Sequence, residues 1–178
     1  MLHRLHAKTI ATRGTILNTN TKTVLHEKIV KTIQRKGTCI LIITGSPGIG
    51  KTSTAKEIIR NGFMSIEKEQ IYVVDDLTGE NGERYTKKTI RELNPSPLCK
   101  LFILIDYRAA RYLKKADIGL YLLLHEGERL SNLKNRSPRS YKRYHKRIYR
   151  YPPIPFSYDC NDVFICRENL LNIVNDYS

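Results

Sequence analysis

Several features are scarce or missing in this chain of 178 residues, and each absence excludes a class of protein. The four cysteines form no C-x-x-C pair, so we predict reduced structural thiols and no zinc site. The longest apolar run, 118–124, has only the length of a strand, which excludes a bilayer-spanning helix. The first six residues form no secretory apolar stretch, so we expect an intracellular, cytoplasmic protein without a membrane role.

Acidic residues are also scarce, and two segments hold almost none of them. With 31 Lys and Arg against 17 Asp and Glu, the formal net charge is +14. Residues 1–36 contribute +7 and residues 129–150 contribute +9, which leaves −2 for the rest of the chain. Because crowded cations repel one another, we expect nucleic acid to bind both segments, with a solvated charged face as the alternative. The tyrosines expected to stack on unpaired bases are Tyr141, Tyr144, Tyr149 and Tyr151.

Short apolar runs alternate with segments of helical periodicity along the chain. The runs cover 38–43, 71–74, 101–105, 118–124 and 162–166. This alternation predicts an α/β fold, a parallel sheet of five strands with helices on both faces. We predict residues 1–36 as a basic arm, irregular over 1–20 and then an amphipathic helix, and residues 37–178 as the main domain. Ligands in such folds bind beyond the carboxyl ends of the strands.

A glycine-rich motif follows the first apolar run. The sequence GSPGIGKT over residues 45–52 fits G-x-x-x-x-G-K-[ST] at every fixed position, between a predicted strand and a predicted helix. Glycines let backbone N–H groups surround phosphate oxygens, and the helix N-terminus adds positive potential. We predict that Lys51 binds the phosphates of ATP or GTP and that Thr52 is a Mg²⁺ ligand. The predicted nucleotide-binding residues are Gly45, Ser46, Pro47, Gly48, Ile49, Gly50, Lys51, Thr52 and Ser53.

Three aspartates stand directly after apolar runs. Asp106 follows four apolar residues, which is the Walker B pattern, and we predict it as a second Mg²⁺ ligand. Its alternative role is that of a helix N-cap. Asp75 and Asp76 follow the run 71–74, and one of them is expected to orient or deprotonate an acceptor hydroxyl. The alternative for this pair is a surface turn.

Over most of residues 38–178 the sequence resembles the P-loop nucleotide kinase family. The glycine-rich motif matches the ATP loop of that family, and the acidic pair follows the second strand as it often does there. The segment ADIGLYLLL at 116–124 is similar to the family's fourth strand, and an arginine-bearing stretch follows it. The segment DVFICREN at 162–169 is similar to the last strand and the start of the terminal helix.

This resemblance implies a P-loop NTPase with strand order 2-3-1-4-5 and a basic lid around 126–150. It also implies transfer of the ATP γ-phosphoryl group, with Lys51, Mg²⁺ and lid arginines neutralising the charge on the moving group. The arginines predicted for that role are Arg129, Arg136 and Arg139.

The sequence leaves the acceptor open among nucleotides, nucleosides and polynucleotide 5′-hydroxyl groups. The charge of residues 129–150 favours a polynucleotide. An alternative function is a nucleic-acid-handling ATPase for packaging or remodelling, although Tyr107 follows Asp106 where such motors usually have Glu. Another alternative is an assembly factor that docks on RNA with nucleotide bound but not hydrolysed.

Overall fold

A sheet of six strands forms the centre of the molecule in the computed structural model, which describes residues 15–17, 22–75, 97–105, 115–145 and 159–166. The strands are β1 (Thr15–Leu17), β2 (Cys39–Gly45), β3 (Ile71–Asp75), β4 (Leu101–Ile105), β5 (Lys115–Leu122) and β6 (Asp159–Cys166). Neighbouring strands of this sheet all run parallel. The predicted α/β class with a parallel sheet is therefore confirmed.

The strands lie side by side in the order β3-β4-β2-β5-β6-β1. Counted along the chain from β2, the five strands longer than β1 stand in the order 2-3-1-4-5. The chain leaves β2 for β3 and β4 on one side, and it then crosses to β5 and β6 on the other. In open sheets a ligand crevice forms where this direction changes. The glycine-rich loop begins there, at the carboxyl end of β2.

The edge strand β1 differs from what the sequence predicts. Residues 1–20 are predicted as an irregular arm, yet Thr15–Leu17 pairs in parallel with residues 164–166 of β6. A triplet of β-branched and apolar residues suits a strand, and its pairing covers backbone groups that β6 would otherwise expose. The sheet therefore has one strand more than predicted.

The described residues form four α-helices and one short 3-10 helix. They are α1 (Lys22–Lys36), α2 (Lys51–Asn61), a 3-10 helix (Lys68–Gln70), α3 (Glu126–Arg136) and α4 (Pro138–Tyr144). Ser137 separates α3 from α4, because its hydroxyl accepts a hydrogen bond from the Ser140 N–H (3.0 Å) and Pro138 opens the next helix. The predicted lid segment 126–150 thus forms a helix pair, and its last residues, 146–150, lie outside the described residues.

One face of the sheet packs against both α1 and α2. Leu41 of β2 is fully buried in one apolar cluster with Leu25 of α1 and Ile58 of α2. Burial of such a side chain contributes about 1.5 to 3 kcal/mol. On the opposite face Ile42 and Leu104 are fully buried as well. Because both faces are covered, the strands are continuous apolar runs without polar alternation.

Cys39, Cys99 and Cys166 are buried thiols that form no disulfide bond. Burial raises the pKa of Cys39 from its ordinary 9.0 to about 12, and the nearby Asp117 carboxylate acts in the same direction. Burial also raises the pKa of Cys99. These two thiols therefore stay protonated at neutral pH, as expected of structural cysteines.

Candidate nucleotide-binding site

The loop over residues 45–50 connects β2 to α2 through glycines with positive φ. Gly45, Gly48 and Gly50 have φ angles of 151°, 92° and 87°, a region that residues with side chains rarely adopt. A Cβ atom on Gly45 would lie 2.0 Å from Ile49 Cδ1 and 2.6 Å from the carbonyl oxygen of Leu122. Backbone conformation and packing therefore both require glycine at the first fixed position of the motif.

The helix α2 begins directly after the loop, with Gly50 as its N-cap. Gly50 offers no side chain to the N–H groups of the first turn, and that turn contains no acidic residue. The first N–H groups of a helix lack intrahelical acceptors, and the helix dipole adds positive potential at the same end. A phosphate group therefore fits this helix end.

The ammonium group of Lys51 lies over the loop. Its Nζ atom donates hydrogen bonds to the carbonyl oxygens of Gly45 (2.8 Å) and Ser46 (3.1 Å). Phosphate oxygens held by the loop would lie beside the same ammonium group, which is the predicted role of Lys51. Thr52 stands in the first turn of α2 and is partly buried, whereas Ser53 is exposed. The residues present thus fit a nucleoside triphosphate with Mg²⁺.

The helix α3 packs against the outer side of the loop. Arg129 Nη1 donates to the Pro47 carbonyl oxygen (3.1 Å), and Asn132 Nδ2 donates to the Gly48 carbonyl oxygen (2.9 Å). The described peptide bonds are trans, so the N–H group of each peptide unit points opposite to its carbonyl group. The N–H groups of Gly48 and Ile49 are consequently directed away from α3, on the side open to a phosphate.

Gly48 occupies a variable position of the motif, but its surroundings here require glycine. A Cβ atom would lie 2.8 Å from the Arg129 carbonyl oxygen and 2.8 Å from Leu133 Cγ. The backbones of the loop and of α3 therefore approach one another closely. Sequence reasoning missed this contact because Pro47 and Arg129 are 82 residues apart, and no local pattern marks the pair.

Arg129 is only 2% exposed, which is rare for an arginine. Besides its bond to Pro47, its Nη2 atom donates to the His145 carbonyl oxygen at 3.1 Å. The guanidinium group is thus directed at two backbone carbonyls, one in the loop and one just after α4. In the structure Arg129 positions the loop, whereas the resemblance implies a contact with phosphate. The other two predicted arginines, Arg136 and Arg139, are exposed on either side of the α3–α4 break.

Tyr121 fixes the first half of the loop from β5. It stands opposite Thr44 in the sheet register, is 4% exposed, and its hydroxyl forms a side-chain hydrogen bond with Ser46. Burial raises the pKa of Tyr121 to about 12, although the hydrogen bond with Ser46 acts in the opposite direction, so the phenol stays protonated at neutral pH. In the sequence Tyr121 is only one residue of an apolar run. Its contact with the loop was missed because the sequence does not show locally that β5 lies beside β2 in the sheet.

The acidic residues predicted at the strand ends are only partly described. Asp75 ends β3, is 2% exposed, and pairs in register with Ile105, which in turn lies opposite Ile43 of β2. Since neighbouring strands are about 4.8 Å apart, Asp75 lies about 10 Å from β2 across the sheet. Asp76 and Asp106, the residues directly after β3 and β4, lie outside the described residues.

Among the described residues, no group of three or more His, Cys, Asp or Glu side chains is placed to hold a metal ion. The predicted Mg²⁺ site does not need such a group. Mg²⁺ retains several water ligands and is usually bound by one or two protein oxygens together with substrate phosphates. The Thr52 hydroxyl is one protein oxygen suited to that role.

No protein-family model matches the sequence, and no curated protein matches it either. In the described part of the chain, no helix is both long and apolar enough to cross a membrane. The function is therefore inferred from the loop and from the side chains that surround it.

Proposed function

We propose that the protein is a P-loop NTPase that acts as an ATP-dependent phosphotransferase. The acceptor is a nucleotide, a nucleoside or a polynucleotide 5′-hydroxyl group. The glycine-rich loop carries the proposal. Its Pro47 and Gly48 carbonyls accept bonds from α3, the N–H groups of the same two peptide units point the opposite way, and Lys51 lies over the loop. An arrangement of this kind at a helix N-terminus is suited to a polyphosphate.

In the proposed reaction, an acceptor oxygen attacks the γ-phosphorus of ATP while the bond to the β–γ bridging oxygen breaks, and ADP leaves. The loop N–H groups and Lys51 stabilise the negative charge on the transferred and departing phosphates. Asp75 or Asp76 accepts the proton of the acceptor hydroxyl. Thr52 and Asp106 hold the Mg²⁺ ion, which neutralises and orients the phosphates when bound.

The position of Asp75 supports an acceptor site beside the loop. Asp75 ends a strand that is separated from β2 only by β4, at the same edge of the sheet as the loop. The separation of about 10 Å leaves room for an acceptor between the carboxylate and the γ-phosphate. Replacement of Asp75 or Asp76 by Asn identifies the base, because the base variant loses turnover but keeps nucleotide binding.

A phosphoryl-transfer screen tests the proposal directly. Labelled ATP is offered with nucleosides, nucleotides, 5′-hydroxyl DNA and 5′-hydroxyl RNA in separate reactions. A labelled acceptor supports the phosphotransferase and identifies its substrate class. Release of free phosphate alone, stimulated by nucleic acid, would instead favour the nucleic-acid-handling ATPase. A protein that shows neither transfer nor phosphate release would overturn both.

The Lys51→Ala variant is expected to reduce transfer about 100- to 1000-fold, because one positioned donor to the reacting phosphates is lost. The matched control is Lys56→Ala, since Lys56 lies on the same helix and its side chain is exposed. Circular dichroism should show that both variants fold, and Lys51→Ala should unfold at a lower temperature than Lys56→Ala because it loses two bonds to loop carbonyls. A Lys51→Ala protein with wild-type turnover would show that the loop is not the active site.

A further inference from the structure

The α3–α4 helix pair presents an exposed basic surface beside the phosphate loop. The exposed cations of this basic surface are Lys134, Arg136, Arg139, Lys142 and Arg143. Within the described ranges, none of them forms an ion pair with a carboxylate. The acidic residues of the pair, Glu126 and Glu128, are confined to the first turn of α3. The positive potential of this surface is therefore not cancelled by neighbours.

The basic surface is held in a fixed shape. Arg129 joins the Pro47 carbonyl to the His145 carbonyl, so the end of α4 is fastened to the loop through α3. Ser137 caps α4 and fixes the turn between the helices. Side chains mounted on a rigid scaffold lose less conformational freedom when a partner binds.

The described tyrosines of the helix pair stack on its own side chains. The Tyr141 ring stacks on His145 with centroids 5.0 Å apart, and Lys134 Nζ lies 5.1 Å from the Tyr141 centroid. Arg143 lies 5.4 Å from the centroid of the Tyr144 ring. These rings therefore orient cations of the helix pair. Because the rings already contact side chains of the pair, we expect the surface to contact phosphate groups more than bases. Tyr149 and Tyr151 lie outside the described residues.

The composition of the basic surface favours nucleic acid over an anionic membrane. Helices that bind membranes insert large apolar side chains between the lipids. The exposed large apolar residues of the described chain are Val24, Ile59 and Leu98, and none of them belongs to α3 or α4. A polyanion that needs only fixed cations, such as a phosphodiester backbone, matches this surface.

We propose that the α3–α4 basic surface docks the phosphate backbone of a nucleic-acid strand. The surface belongs to the helix pair whose first helix, α3, bonds to the loop through Arg129 and Asn132. If the proposed phosphotransferase function is correct, a docked strand brings its 5′ end towards the γ-phosphate, which identifies the acceptor class as polynucleotide. Binding is led by phosphate contacts and is only weakly dependent on sequence.

The test measures binding of a labelled 5′-hydroxyl oligonucleotide by fluorescence anisotropy over a range of salt concentrations, without ATP. The test variant is Lys134→Gln, Lys142→Gln, Arg143→Gln. The control is Lys31→Gln, Arg35→Gln, Lys56→Gln, which removes the same residue types and the same charge from exposed positions of α1 and α2. Circular dichroism confirms that both variants fold.

Affinity falls as salt rises, so the slope of log affinity against log salt is negative. The test variant should make this slope less negative by about 2, because it loses three phosphate contacts and each contributes about 0.7 on a single strand. The control should keep the wild-type slope within error. Undetectable binding at low salt, or an equal loss in the control, would overturn the proposed surface. Equally tight, salt-dependent binding to phosphatidylserine vesicles, lost in the test variant alone, would reassign the surface to membranes.

The same measurements separate this inference from the proposed function. Lys51→Ala should bind the oligonucleotide like the wild type although its phosphoryl transfer is reduced about 100- to 1000-fold. If oligonucleotide binding fails while transfer to a small acceptor persists, only the docking surface is refuted. If binding persists while every transfer assay fails, only the phosphotransferase is refuted.

Discussion

The helix α1 and the α3–α4 pair are both strongly basic, but the structure uses their charge in different ways. Three lysines of α1 form ion pairs: Lys28 with Asp162 (2.9 Å), Lys31 with Glu27 (3.5 Å) and Lys36 with Asp117. The apolar side of α1 is buried in the core. In the α3–α4 pair the exposed cations have no carboxylate partner among the described residues. The pairs of Lys28 and Lys36 attach α1 to the sheet, and the Lys31–Glu27 pair lies within the helix. The α3–α4 pair leaves its exposed charge available.

This difference shows that the charge of a segment does not by itself indicate its partner. Residues 1–36 and 129–150 have nearly the same charge in the sequence, +7 and +9. Asp162 and Asp117, which pair with Lys28 and Lys36 of α1, come from β6 and β5 and are distant in the chain. We therefore expect α3–α4 to contribute more to nucleic-acid binding than α1 does.

The largest effect is expected from Arg129→Met, which would break the attachment of α3–α4 to the loop. Two carbonyls lose a bond from a charged donor, and each such bond contributes about 1.5 to 3 kcal/mol. We expect the free energy of unfolding to fall by about 3 to 5 kcal/mol in denaturant titration. Arg136→Met, at an exposed position of the same helix, should change it by less than about 0.5 kcal/mol. Equal stability of the two variants would refute the role assigned to Arg129.

Two glycine variants test whether α3 is held firmly against the loop. Gly48 and Gly37 both have positive φ, 92° and 82°, but a Cβ atom would meet other atoms within 4 Å only at Gly48. Gly37→Ala should destabilise by about 1 kcal/mol through backbone strain. Gly48→Ala adds a clash with α3 and should cost about 1 to 3 kcal/mol more. If thermal unfolding shows that both variants lose the same stability, α3 moves aside easily and is not held against the loop.

On the α1 side, Asp117→Asn should weaken the attachment of the helix to the sheet. The Asp117 carboxylate accepts bonds from Lys36 Nζ and from the Ile40 N–H (2.9 Å), and Asp117 is 6% exposed. Loss of the charge should reduce the free energy of unfolding by about 1 to 3 kcal/mol. Asp162→Asn breaks a more exposed pair and should cost about 0 to 1 kcal/mol. The reverse order would mean that the Lys28–Asp162 pair is the main anchor of α1.

The last effect is confined to alkaline pH and is absent at neutral pH. Burial raises the folded-state pKa of Cys39 from 9.0 to about 12 and that of Tyr121 from 10.0 to about 12. The unfolded chain therefore loses these protons first, so stability is complete below about pH 9 and decreases as the pH rises towards 12. Cys39→Ala, near the α1 anchor, and Tyr121→Phe, beside the loop, should each make this decrease shallower. Unchanged curves for both variants would contradict the assignment.

The position of the glycine-rich loop between a strand and a helix was predictable because its signals are consecutive. Eight residues contain the glycines, the lysine and the hydroxyl, and the apolar run before them places the loop after a strand. The parallel sheet was predictable for a related reason, since each buried strand is a short apolar run bounded by polar residues. The start of α4 also has a local cue in the sequence, namely Ser137 as N-cap followed by Pro138, although the break between α3 and α4 was not predicted.

The contacts that shape the site were not predictable from the sequence. Lys36 and Asp117 are 81 residues apart, and Gly48 and Asn132 are 84 apart. Such pairs form because strand order brings β5 beside β2, and no local periodicity encodes that neighbourhood. The bonds of Arg129 to the Pro47 and His145 carbonyls were unpredictable for the same reason, and its contact with phosphate stays a prediction. A buried guanidinium with two carbonyl acceptors cannot be distinguished by sequence from one that contacts phosphate.

The hydrogen bonds from α3 to the loop also bear on the order in which parts of the molecule fold. A chain growing from its N-terminus completes the whole glycine-rich motif long before Arg129 and Asn132 are synthesised. Until those residues arrive, the Pro47 and Gly48 carbonyls lack the donors that turn their peptide units outward. Contacts of such long sequence separation form late because the intervening chain must close first. The motif is therefore present early in synthesis, but the loop conformation that α3 holds belongs to the last stages of folding.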